Sequence, residues 1–131
     1  MQMIPSLTAE DAETAANACL LEARNLNVAV CVAVVDAAGQ LLRLVRAEGA
    51  RGFTVELATR KARTSASLGV GTSVLEAMYK DRPLLSPDLI AAKGGLPTKH
   101  DGRCSGAIGI SGALPDIDEQ IAAAGARAVA G

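Results

Sequence analysis

Lys61 sits in the run Arg60-Lys61-Ala62-Arg63-Thr64, within a segment whose apolar residues recur at helical spacing. A lysine on the face such a helix turns toward a sheet can hold a carboxylate, or act as a base if desolvation lowers its pKa. Arg60, Arg63 and nearby Glu56 suit a solvated helix face equally well. Thr64 can share that surface and bond a ligand, or turn its hydroxyl back to a helix carbonyl. Asp36 ends an apolar run just before Ala37-Ala38-Gly39. A carboxylate there either moves a proton or caps its own turn. Arg46 can grip a carboxylate through both sides of its guanidinium, or pair locally with Glu48.

A second group lies in the glycine-rich stretch from Gly94 to Gly112. Gly94 and Gly95, followed by Pro97, leave backbone open to a flat ligand, with N–H groups available as donors. Gly106 and Gly109 are better read as points of close approach to a helix or a neighbouring chain. His100 is the only histidine, and residues 1–27 hold none. It is a candidate metal ligand or acid–base group, although its place beside a tight turn favours plain exposure. Asp101 and Cys104 near it match no zinc spacing.

These residues need a scaffold. Thr8 with Glu10 and Asp11 reads as a helix start, and the apolar spacing predicts a first helix over Ala9–Asn25. Val28–Val35 is a short β-branched run, apolar on both faces, as in a strand covered on two sides. The turn Asp36–Gly39 returns it as a second strand, Gln40–Arg46. A second helix is predicted over Phe53–Leu68, ended by Gly69 and Gly71. Ser73 and Glu76 match a capping box for a short helix reaching Lys80. Pro83 and Pro87 mark irregular chain, and Leu89–Ala92 is read as a short edge strand. Asp101-Gly102 is a strong hairpin signal joining Leu96–His100 to Arg103–Ser111, and a final helix runs over Asp116–Ala128. The order α-β-β-α-α-β-β-β-α predicts one α+β domain, a mainly antiparallel sheet with helices packed on it.

Composition narrows the function. The chain has 131 residues, half of them hydrophobic, with one Phe, one Tyr and no Trp. Its core must therefore be built from Ala, Val, Leu and Ile. A net charge of −1 and the scarcity of aromatics argue against nucleic acid. No apolar run approaches a membrane span, and Met1–Leu7 lacks the pattern of a signal peptide. Cys19, Cys31 and Cys104 are odd in number and form no CxxC, so they read as reduced thiols of a cytoplasmic protein.

Several motifs then fall in order. They are Ala33-Val-Val-Asp36 with Gly39, Arg46-Ala-Glu-Gly-Ala50, Lys61-Ala-Arg-Thr64 and Gly94-Gly-Leu-Pro97. Asp101-Gly102, Gly106-Ala-Ile-Gly-Ile-Ser-Gly112, Asp118-Glu119 and Ala124-Gly125 complete the set. Together, from Leu7 to Ala126, the chain resembles the GlcG/HbpS-like family, also called a heme-degrading domain. That family supplies the C-terminal domain of some corrinoid adenosyltransferases too. The resemblance implies a profilin-like fold with a five-stranded antiparallel sheet, homo-oligomers, and heme or a corrinoid as first ligands to test. Under it, Lys61 or Arg46 would pair with propionates, and His100 or a sulfur would give an axial bond. The pocket is expected between the second helix and the Gly94–Pro97 loop, near a subunit boundary. Two other classes fit the residues. One is a cofactor-free lyase or isomerase, with Lys61 and Arg46 orienting a small carboxylated metabolite and Asp36 or Lys61 moving the proton. The other is an oligomeric accessory protein without chemistry.

Overall fold

The computed structural model describes residues 1–83 and 88–131, so the expectation placed on Pro87 lies outside the described residues. Helix α1 spans Ala9–Asn25. Its start is a full capping box: Asp11 N–H donates to the Thr8 hydroxyl, and Thr8 N–H donates to the Asp11 carboxylate. Ala12, Ala15, Ala16, Cys19 and Ala23 form its buried stripe. Strand β1 spans Cys31–Asp36, later than its apolar run suggested. Val28 N–H is spent on the Ala23 carbonyl as the chain leaves α1, and Asn27 has φ of 57°. The first residues of the run therefore turn the chain toward the sheet.

Strand β2 spans Leu41–Arg46, and α2 spans Thr54–Leu68, closed by Gly69 at φ 73°. Helix α3 spans Thr72–Met78. The expected Ser73–Glu76 capping box does not form. Gly71 is the N-cap without a side-chain bond, and the Glu76 carboxylate accepts instead from Lys93 N–H. Strands β3, Gly95–His100, and β4, Arg103–Ser111, make the hairpin around Asp101-Gly102, and α4 spans Pro115–Ala128.

Among the described residues the sheet has four strands, all antiparallel, in the order β2-β1-β4-β3. This corrects the expectation of five. Leu89–Ala92 is not a strand: its backbone is tied to side chains of α2, the Leu89 carbonyl accepting from Arg60. Ile90 N–H donates to the Thr64 hydroxyl and, just beyond, Lys93 N–H to Glu76, in place of bonds to a neighbouring strand.

The central strands are covered on both faces, as their unbroken apolarity required. Val32 and Val34 of β1, with Ile108 and Ile110 of β4, pack under α1 and α4. Cys31, Ala33, Val35 and Ala107 face α2 through Ala58 and Ala62. Small residues bring that second layer very close. A Cβ on Gly109 would collide with the Ala58 carbonyl and the Ala62 amide, so α2 lies directly on β4.

Candidate functional site

Lys61 is 5% exposed. Its Nζ donates to the Ile110 carbonyl at 2.8 Å and lies 3.2 Å from Asp118 Oδ2. The other Asp118 oxygen accepts from Ala113 N–H, so one buried pair ties α2, the end of β4 and the start of α4 together. Burial pushes the Asp118 carboxyl above its usual range, opposed by the Lys61 charge and by the Ala113 and Lys61 hydrogen bonds. Gly94 and Gly95 close over this pair rather than over a cavity. A Cβ at Gly94 would meet the Ile110 carbonyl at 2.7 Å and Lys61 Nζ at 2.9 Å. One at Gly95 would meet the Lys61 carbonyl at 2.5 Å. Between α2 and Gly94–Gly95, where a pocket was expected, there is packed protein.

The remaining candidates are dispersed. Thr64 is buried, and its hydroxyl holds Ile90 N–H. One Asp36 oxygen accepts from both Ala38 and Gln40 N–H, holding the β1–β2 turn. Arg46 donates to the Ala50 carbonyl at 3.0 Å, across the loop that follows β2. Among the described residues no ion pair joins it to Glu48. Pro97 lies half-buried on edge strand β3.

His100 sits at the exposed hairpin end, its side chain 57% accessible, with Nε2 3.5 Å from Asp101 Oδ2. It borders a cleft of about 290 Å³ lined also by Pro5, Ser6, Leu7, Asp11, Ser105 and Val129. Arg46 and His100 occupy diagonal corners of the sheet. Strand spacing and rise put them roughly 14 Å apart across the sheet and roughly 25 Å along it. They cannot serve one small ligand within a single chain.

Two of the three thiols are buried. Burial pushes Cys19 up to about 12, slightly eased by a bond with the Gly125 backbone. Burial also raises Cys31, against the opposing influence of Arg46 and Thr54. Among the described residues no cluster of three His, Cys, Asp or Glu could hold a metal ion. Every buried side-chain polar atom there also has a partner. Asp118 was quoted only as part of a motif; its role as the partner of Lys61 has no local signature.

A four-stranded antiparallel sheet between two helical layers defines the described residues as an α+β fold. The chain belongs to the HbpS-like haem-degrading protein family, whose model matches residues 7–127. A crystal structure of a double mutant of Streptomyces reticuli HbpS is 36% identical, with a TM-score of 0.91, covering 100% of this chain and 91% of that one. The PduOC:heme complex is 28% identical with a TM-score of 0.86, covering 95% of each chain. Protein GlcG of Escherichia coli K12 is 34% identical over 93 residues, 69% of each chain. Among the described residues no helix is long and apolar enough to cross a membrane.

Proposed function

We propose that this protein binds heme or a related tetrapyrrole at the cleft beside His100. The observation that carries the reading is the likeness, along 95% of both chains, to a domain solved with heme. The residues at the cleft suit such a group. His100 offers the only imidazole, set at the mouth of a cleft with Pro5, Leu7 and Val129 in its walls. Arg103, which donates to the Met3 carbonyl, stands beside it as a cation for propionates. Met3 and Ile4 are exposed apolar surface on the same approach. At about 290 Å³ the cleft is at the small end for ligand pockets, so it would grip an edge of the ring. Heme held there brings a metal centre and a strong optical band. His100 would orient it, and Pro5, Leu7 and Val129 would pack against one edge of the ring.

Lys61 and Arg46, the propionate partners first expected, are committed elsewhere, and Arg103 takes that part in the proposal. A lyase or isomerase using Lys61 and Asp36 would need both groups released from the contacts that hold the fold. Hemin titration tests the tetrapyrrole reading. We expect a saturable, equimolar Soret shift, and His100→Ala weakening it roughly tenfold or more with a changed spectrum. A non-saturating shift, or one indifferent to His100→Ala, would remove this site; a corrinoid is the second ligand to titrate.

The same reading includes a homo-oligomer. Edge strand β2 carries Leu41 and Leu44 on its surface, with Phe53 exposed close by in sequence, and an uncovered edge invites pairing. Light scattering should return a multiple of 13.3 kDa, reduced by Leu44→Lys. A wild-type mass of one chain would end that part of the proposal.

A further inference from the structure

Two surface clefts meet on the outer side of α2. One, of about 310 Å³, is lined by Glu56, Arg60, Thr64, Asp88 and Leu89; the other, of about 320 Å³, lies against Ala37–Gln40 of the β1–β2 turn. Arg63 and Ser67 line both. They stand one helical turn apart on α2, so guanidinium and hydroxyl can reach the same ligand. Arg63 is exposed, and among the described residues it makes no hydrogen bond or ion pair.

We infer that Arg63 and Ser67, facing the β1–β2 turn, form a binding site for the carboxylate of a small polar acid. The chemistry of the available donors selects this class. The turn looks like a nest for phosphate, but its N–H groups are already taken. Ala37 N–H donates to the Ser6 hydroxyl, Ala38 and Gln40 N–H to the Asp36 carboxylate, and Gly39 N–H to the Asp36 carbonyl. What remains is one planar fork, one hydroxyl and the Gln40 amide. A guanidinium fork matches the two oxygens of a carboxylate, and the hydroxyl and amide can meet a second oxygen on the same molecule. Gly39 leaves open space above the turn, where an added Cβ would meet nothing within 4 Å. The neighbouring cleft carries two carboxylates, Glu56 and Asp88, beside Arg60, whereas the turn's one carboxylate, Asp36, is held by the Ala38 and Gln40 N–H groups. The carboxylate therefore belongs on the turn side. This site lies on the α2 face of the sheet, while the His100 cleft is bordered by α1 and the end of α4. It stands or falls independently of tetrapyrrole binding.

Malonate, acetate and inorganic phosphate, each titrated into the ¹⁵N-labelled protein at constant ionic strength, supply the test. We expect malonate to give saturable shifts at the Ala37–Gln40 amides and at the Arg63 side-chain N–H, with acetate weaker and chloride silent. Arg63→Gln should weaken malonate at least tenfold, and Arg63→Lys nearly as much, because lysine keeps the charge without the fork. Ser67→Ala should weaken it about threefold. Both residues are exposed, so unchanged melting temperatures will show that the variants fold. Malonate shifts no larger than those of chloride, or surviving Arg63→Gln, overturn the site. Phosphate binding as tightly as malonate overturns the ligand class.

Discussion

At the scale of single residues, the chemistry suggested by Lys61 turned into architecture. Its place on the sheet-facing side of a helix was legible, because apolar spacing on α2 is periodic. Its partner was not, since Asp118 lies 57 positions away on another helix. No local pattern encodes that pairing. Lys61→Met should destabilise the protein by about 3–5 kcal/mol in denaturant unfolding, because it strands a buried carboxylate. Lys61→Met with Asp118→Leu should recover most of the loss, since no charge is then left unpaired. Acid should narrow the gap between Lys61→Met and wild type. Burial already raises Asp118 in the folded protein, and losing Lys61 removes the largest opposing influence. A group raised on folding contributes stability that is present below its unfolded value and lost as pH rises through its folded one. The single variant should therefore regain ground as pH falls through that raised value. A gap independent of pH would contradict this account of the pair. His100, by contrast, was readable as an exposed turn residue from Asp101-Gly102 alone.

Among the elements, helices were the most legible, because a capping hydroxyl and a 3.6-residue period leave local marks. The ends of α1 follow directly from Thr8, Asp11 and the alanine stripe. Strand identity was harder, since β-propensity says nothing about which donors are free. Leu89–Ala92 has suitable composition, yet the Thr64 hydroxyl and the Glu76 carboxylate hold the amides at Ile90 and Lys93. Gly106 and Gly109 could be read as close-packing positions, while Gly94 and Gly95 were assigned to a ligand when they in fact pack on Lys61. Both roles ask for a missing side chain, and only the tertiary partner separates them. Gly109→Ala should push α2 off β4 and destabilise by roughly 1–3 kcal/mol or more in thermal melts. Gly52→Ala, where an added Cβ meets nothing within 4 Å, serves as the comparison and should be near neutral. Equal effects at the two positions would refute the close-packing explanation.

For the whole molecule, composition told most of the story. A chain with almost no aromatics must build its interior from small and branched aliphatics, and the two core layers are made of Ala, Val, Ile, Leu and Cys. Backbones can then approach closely, which explains why glycine sits where helices meet the sheet. Where the clefts lie was not readable. They form where segments distant in sequence meet, as Pro5–Leu7 meets His100 and Ala37–Gln40 meets Arg63. The order of the sheet has a consequence for how such a chain becomes a protein. Its central pair, β1 and β4, joins the first third of the sequence to the last quarter, and α1 rests against α4 in the same way. Neither hairpin has a covered sheet to join until both exist, so the entropy of closing that long loop must be met before the core rewards it. During synthesis β1 would wait with its inner edge unpaired until β4 left the ribosome. Folding should accordingly be slow and all-or-none, with exposed Val-rich strand as its hazard.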